Sequence, residues 1–347
     1  MSAKAKPLAA RPPLMIDLAL QGGGSHGAFT WGVLDRILEA DWVEIEGISG
    51  TSAGAMNAAV LAHGMATGGR EGARAALEEF WARVARAAVW SPFQRSPLDR
   101  MMGRWTLDNS PAYLTADLMA RLVSPYALGL PDYNPLRDIL NDMIDFDVLA
   151  EGPLKLFITA TNVRTGRGRV FRRNEITADV LLASACLPTL YRAVEIEGEA
   201  YWDGGFSGNP TITPLVNECE AQDVVLVQIN PVSRPDVPRD ARDIQSRINE
   251  ISFNSTLLKE LRMMALLRQV VDVGEGECRH WADMRMHRIS TDLMIDLGAS
   301  SKLNAEWPFL TMLRDEGRRA AEAFALEHRS DIGVRSTLDI DQFIAGD

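Results

Sequence analysis

A serine set between glycines, Gly50-Thr51-Ser52-Ala53-Gly54, has the residue types of an acyl-transfer nucleophile. The stretch fits G-x-S-x-G, where a sharp strand-to-helix turn presents the hydroxyl and flanking glycines keep bulk away from it. The context agrees. Residues 43 to 48 alternate Val43, Ile45 and Ile48 with Glu44 and Glu46, and residues 52 to 64 form a small, alanine-rich run suited to a helix packed on a sheet. Gly50 and Gly54 are therefore expected to support the turn.

A serine hydroxyl needs a base, usually histidine backed by a carboxylate. His26 lies in a glycine loop and His63 in the helix after Ser52. His280, His287 and His328 fall late, in segments that read as helical or irregular, and are taken as surface or core residues. Asp203, in Tyr201-Trp202-Asp203-Gly204-Gly205, is a better partner. It follows a hairpin-like stretch at 194 to 200, and Gly204 and Gly205 leave little bulk near its carboxylate. Asp-Gly is also a common turn dipeptide. Beside the serine, such an aspartate could take the proton directly if burial raised its proton affinity.

Gly22-Gly23-Gly24-Ser25-His26-Gly27 satisfies G-x-G-x-x-G between a strand and a helix, so dinucleotide binding has to be weighed, with Glu44 about 20 residues on as the ribose acid. The end of the second strand, where that acid normally sits, is instead taken by Ser49-Gly50-Thr51-Ser52. The favoured reading gives the loop's N–H groups the oxyanion formed when Ser52 attacks a carbonyl. Glycines needed only for tight helix-sheet packing are a third reading.

The elements that must position these residues alternate. A buried strand at 14 to 20 enters the glycine loop, and Phe29, Val33, Leu34, Ile37 and Leu38 recur at helical spacing after it. A strand at 43 to 49 and a helix at 52 to 64 repeat the unit, followed by a helix at about 70 to 88. Residues 89 to 135, with Trp90, Met101, Met102 and Trp105 among prolines and arginines, read as a lid-like insertion or an irregular packing layer. Strands at 154 to 161, 168 to 172 and 223 to 230 and a helix at 178 to 185 complete an α/β fold with a mostly parallel central sheet covered by helices on both faces. Beyond a proline-rich loop at 231 to 240, a helix at 244 to 271 places Ile248, Ile251, Leu258, Leu261 and Ala265 on one face, and another spans 305 to 328. The expected division is a disordered tail over 1–13, a catalytic core over 14–230 and a helical portion over 231–347 on the same globule.

The 347 residues carry a net charge of −11 with no basic block, which argues against nucleic acid as a partner. Cys186, Cys219 and Cys278 lack disulfide or metal-ligand spacing and read as reduced core thiols. No apolar leader is seen in the first residues and no run of 18 apolar residues occurs, so the expected setting is cytoplasmic, with transient contact at the inner face of a membrane. The helix near 253 to 271 and the Trp/Met-rich insertion are the segments that could dock there.

The four blocks Gly22 to Gly27, Gly50 to Gly54, Ala183-Ser184-Ala185-Cys186-Leu187-Pro188 and Asp203-Gly204-Gly205 occur in an order that resembles the patatin-like phospholipase family, over about residues 14 to 230. The resemblance implies a three-layer architecture and a serine esterase of phospholipase A type. Ser52 would be the nucleophile and Asp203 the base, with no catalytic histidine and no metal or organic cofactor. An acyl-Ser52 intermediate would form, with Gly22, Gly23, Gly24, Ser25 and Gly27 around the oxyanion. Family members cleave acyl esters of phospholipids, lysophospholipids or neutral lipids. A storage polyester, a soluble ester or an acyl thioester is the alternative substrate, and a non-catalytic lipid- or dinucleotide-binding protein the alternative class. The head group, the acyl length and a homo-oligomeric state stay open. One departure stands out: the family commonly has arginine or lysine where this chain has His26, which is expected to support the loop by hydrogen bonding.

Overall fold

The computed structural model describes residues 12–127, 134–270 and 277–346. All but the last two residues of the expected tail, and residues 128–133 of the insertion, lie outside that range. Eight strands among the described residues form one sheet: β1 (Leu14–Leu20), β2 (Val43–Gly50), β3 (Lys155–Asn162), β4 (Gly168–Arg172), β5 (Val194–Ile196), β6 (Glu199–Asp203), β7 (Asp223–Val227) and β8 (Arg285–Ile289). β3, β2, β1, β7 and β8 lie side by side in parallel, while β4 and β6 pair antiparallel with β3, and β5 with β6.

β1 and β7 are buried on both faces, which is why their letters run almost continuously apolar. Alternate residues serve different layers. Ile16, Leu18, Leu20, Val225 and Val227 pack with α1 (Gly27–Leu38), α2 (Ala53–Ala88) and the helix Trp307–His328. Ala19, Val224 and Leu226 pack instead with Leu257, Leu261 and Met264 of the helix Ala241–Val270. The three-layer α/β expectation matches this arrangement. α2 is continuous by hydrogen bonding but broken by non-helical backbone at Gly68 and Gly69, where the sequence suggests two helices.

Three expectations need correction. The region beyond 231 is not purely helical, since β8 extends the sheet along the whole of β7. Its letters, Arg-Met-His-Arg-Ile, hide a strand because the neighbouring strand answers its charges: Arg285 grips Asp223 at 3.0 and 2.7 Å, and His287 Nε2 lies 2.9 Å from the same carboxylate. In the Ala241–Val270 helix, Ile248 and Ile251 are exposed, because the helix meets the core mainly from Asn254 to Ala265. Cys278 is exposed, unlike buried Cys186 and Cys219. No helix among the described residues is long and apolar enough to cross a membrane.

α1, which follows the glycine loop, is held by the helix Trp307–His328 at unusually close range. A Cβ at Gly32 would strike the Arg314 carbonyl oxygen, and one at Gly317 the Phe29 carbonyl oxygen. Gly317→Ala would gain about 1 kcal/mol of helix propensity. Overpacking against backbone that cannot rotate away outweighs this, so the expected net result is a loss of about 1–3 kcal/mol in urea unfolding.

Candidate active site

The site is assembled where three strand ends meet. β4 occupies one edge of β3 along 157–161, so β2 and β6 must share the other edge end to end. β2 ends with Gly50 opposite Ile158, and β6 arrives from the other direction, ending with Asp203 opposite Ala160. Ser52, two residues past Gly50, is thereby brought to Asp203, near enough for its hydroxyl to lower the proton affinity of the carboxylate. On the other side of β2, Leu20 pairs with Gly50 and delivers the glycine loop to the same place. Gly22 lies so close that a Cβ there would fall 2.6 Å from Ser52 Cβ.

Ser52 adopts φ 55°, ψ −122°, a conformation that costs a non-glycine residue of order 1–3 kcal/mol. It caps α2 and is half-buried. Close surroundings hold it there. Its N–H donates to Ser184 Oγ at 2.9 Å, and Ser184 Oγ–H donates to the Thr159 carbonyl at 2.7 Å. Two residues on, the Cys186 carbonyl accepts the Asp203 N–H at 2.8 Å, so one short segment at the end of the helix Ala178–Ser184 anchors both partners. Gly50 and Gly54 pack backbone against backbone beneath the turn, and Gly204 presses on the Thr159 carbonyl.

Asp203 is almost wholly buried. Burial pushes its proton affinity up to about 6, against the Gly205 N–H at 2.7 Å, the Ser52 hydroxyl and the positive charge of Lys302, which all pull it down. Gly205 in turn sits against the ring of Phe253.

The five expected oxyanion residues divide. Gly22 N–H is committed to Asn209 Oδ1 at 2.6 Å, and Gly27 N–H to the carbonyls of Gly24 and Ser25. Among the described residues the N–H groups of Gly23, Gly24 and Ser25 have no hydrogen-bond acceptor. Those three are the donors left for an oxyanion. No dinucleotide acid is offered by Glu44, which sits near the start of β2, at the far end of the sheet from the loop.

His26 is buried, with Nε2 2.7 Å from Ser301 Oγ and its ring edge-on to Phe309. Burial, with Lys302 and Arg234 nearby, holds its proton affinity well below the usual imidazole value, so the ring is neutral. His287 makes a triad-like set with Asp223 and Thr337, but at the N-terminal end of β7, opposite from Ser52.

Sequence reasoning missed the polar frame behind the loop. Gln21 Oε1 accepts the N–H groups of Ile229 and Asn230 at 3.0 and 2.9 Å, while its Nε2 donates to the Asn209 carbonyl and to Asn254 Oδ1. Glu260 accepts from the N–H groups of Ile212 and Thr213. Asn-Pro at 209–210 and again at 230–231, each after a strand or turn already singled out, was the available signal. The insertion reaches the loop through Trp105, stacked on Phe309, and reaches the segment after Cys186 through Tyr126, whose hydroxyl accepts the Ala193 N–H. A cavity of about 660 Å³ at the insertion's base is lined by Val89, Phe93 and Trp307 and by no residue of the four motifs.

The family model for patatin-like phospholipases matches residues 18–216, more than half of the chain. An uncharacterized Escherichia coli K12 protein, YjjU, is 26% identical over 224 residues, 58% of this chain; the chain spans about half the length of that relative, 49%. Among solved structures, VipD from Legionella pneumophila aligns with a TM-score of 0.34 and 14% identity, over 89% of this chain and 68% of that one. ExoU, in its heterodimeric complex with SpcU from the type III secretion system of Pseudomonas aeruginosa, aligns with a TM-score of 0.29 and 17% identity, over 97% and 66%.

Ser184→Ala leaves the Ser52 N–H without its acceptor. The expected outcome is a stability loss of about 1–3 kcal/mol in chemical denaturation. Any turnover at this site should fall about tenfold to a hundredfold with KM little changed, because the Ser52 hydroxyl is displaced rather than removed.

Proposed function

The chain belongs to the patatin-like phospholipase family, whose members are lipid acyl hydrolases, and from that premise we propose that it cleaves carboxylic esters of phospholipids or related lipids through Ser52 and Asp203. The observation that carries the proposal is the placement of a strained, half-buried serine beside a buried aspartate with raised proton affinity. Ser52 Oγ attacks the ester carbonyl carbon as its proton passes to Asp203. The tetrahedral oxyanion is met by the Gly23, Gly24 and Ser25 N–H groups. Collapse breaks the bond to the leaving alcohol, which takes the proton from Asp203, and leaves acyl-Ser52. Water then gives a proton to Asp203 and attacks the acyl carbon. The second collapse releases the fatty acid and returns the proton to Ser52.

No step uses His26, whose ring is neutral and tied to Ser301. The reaction needs neither metal nor organic cofactor in this scheme. Trp90 and Met101 of the insertion are strongly exposed and give a lipid surface an apolar place of contact.

A fluorophosphonate probe should label the wild-type protein and not Ser52→Ala, and incubation with a crude lipid extract should release fatty acid only with the wild type. Asp203→Asn should lose turnover comparably while folding normally, whereas His26→Gln should keep most of it. Equal loss in His26→Gln and Ser52→Ala, with both folded, would refute the dyad.

Asp203 must be ionised to accept the serine proton, so activity is lost as pH falls through its value. The kcat/KM profile should therefore rise from the acid side with its half-maximum near pH 6. A half-maximum near 4, the ordinary carboxylate range, would contradict a buried base.

A further inference from the structure

The glycine loop is braced by a segment more than 80 residues beyond the end of the family match at residue 216. Lys302, in the helical turn Ala299–Leu303, donates from Nζ to Asn230 Oδ1 at 2.8 Å. Asn230 Nδ2 donates onward to the Gly22 carbonyl oxygen at 2.6 Å. The Lys302 carbonyl itself lies against Gly24, which has φ +59° and no room for a Cβ. Ser301 beside it holds His26. One turn thus meets the loop directly at Gly24 and His26 and, through Asn230, at Gly22.

The charges around Lys302 leave it available to the site. Glu250 is taken up by Arg234, at 2.6 and 3.2 Å, and by Arg247 at 3.2 Å. Arg234 repels Lys302, and His26 is neutral. Lys302 feels Glu250 first and Asp203 after it, and it lowers the proton affinity of the Asp203 carboxylate; Asp203 is almost wholly buried and Lys302 half-buried, so their interaction is less screened than in bulk water.

We propose that Lys302 is a positioning residue for the Ser52–Asp203 site, fixing the glycine loop through Asn230 and supplying positive charge that acts on the Asp203 carboxylate. The proposal rests on Asp203 being the base. Lys302 does in this chain what the neutral His26 of the loop does not: it brings an ammonium group behind the oxyanion donors, although burial lowers its proton affinity from the usual lysine value.

The test compares pH profiles of kcat/KM for wild type, K302Q, K302M, K302R and N230A on one ester substrate, with thermal unfolding of each. K302Q keeps a donor for Asn230 but removes the charge, so its acid limb should move up in pH from the wild-type position. K302M should show the same shift and an added loss of kcat, while K302R should return the limb close to wild type. N230A should lose turnover with the limb in place. A wild-type acid limb in whichever of K302Q and K302M folds normally would overturn the electrostatic role, and full turnover in N230A would overturn the link to the loop. Activity surviving in D203N would instead refute the base assignment, a result separable from both.

Discussion

Removing a carboxylate from water costs free energy unless hydrogen bonds and nearby charge replace the lost hydration, and the site is organised around that cost at Asp203. Too little compensation would leave the group protonated at neutral pH. Too much would return it to the ordinary carboxylate range. The Gly205 N–H, the Ser52 hydroxyl and the Lys302 ammonium supply an intermediate amount, and the result is a value near 6. The frame of Gln21, Asn209, Asn230 and Asn254 is built of neutral amides, which hold backbone in place without adding charge to that balance.

The sheet supplies the geometry in an economical way. A parallel strand and an antiparallel strand share one edge of β3, so their C-terminal ends face each other rather than lying side by side. Residues 184 and 186 then fasten one end each. The separation of Ser52 and Asp203 is set by a three-residue span of backbone, while the sheet only has to bring the ends into range.

Legibility in the sequence followed the kind of signal each element leaves. Alternation of buried strands with helices, and the four glycine- and serine-containing blocks, announced the three-layer fold and the residues that meet at its centre. β8 stayed hidden because Arg285 and His287 satisfy their polar groups on Asp223 of the neighbouring strand, a partnership that a one-dimensional pattern cannot display. The exposed side of Ile248 and Ile251 escaped for a related reason: helical periodicity gives a face, but not how far along the helix the core extends. Within the site, the letters of the glycine loop did not reveal which N–H groups were already spent. That depended on Asn209, nearly 190 residues away. Lys302 carries no motif at all and Asn230 only its Asn-Pro dipeptide, so their bearing on the loop becomes visible only through their hydrogen bonds.

The distance in sequence between the loop and its brace has a consequence for biosynthesis. Gly22 is synthesised about 208 residues before Asn230 and about 280 before Lys302, whose side chains fix its position. At roughly 5–20 residues per second, the nascent loop spends tens of seconds without its anchor. A polypeptide stalled or clipped before residue 302 would therefore carry Ser52 and Asp203 without the finished cradle around them.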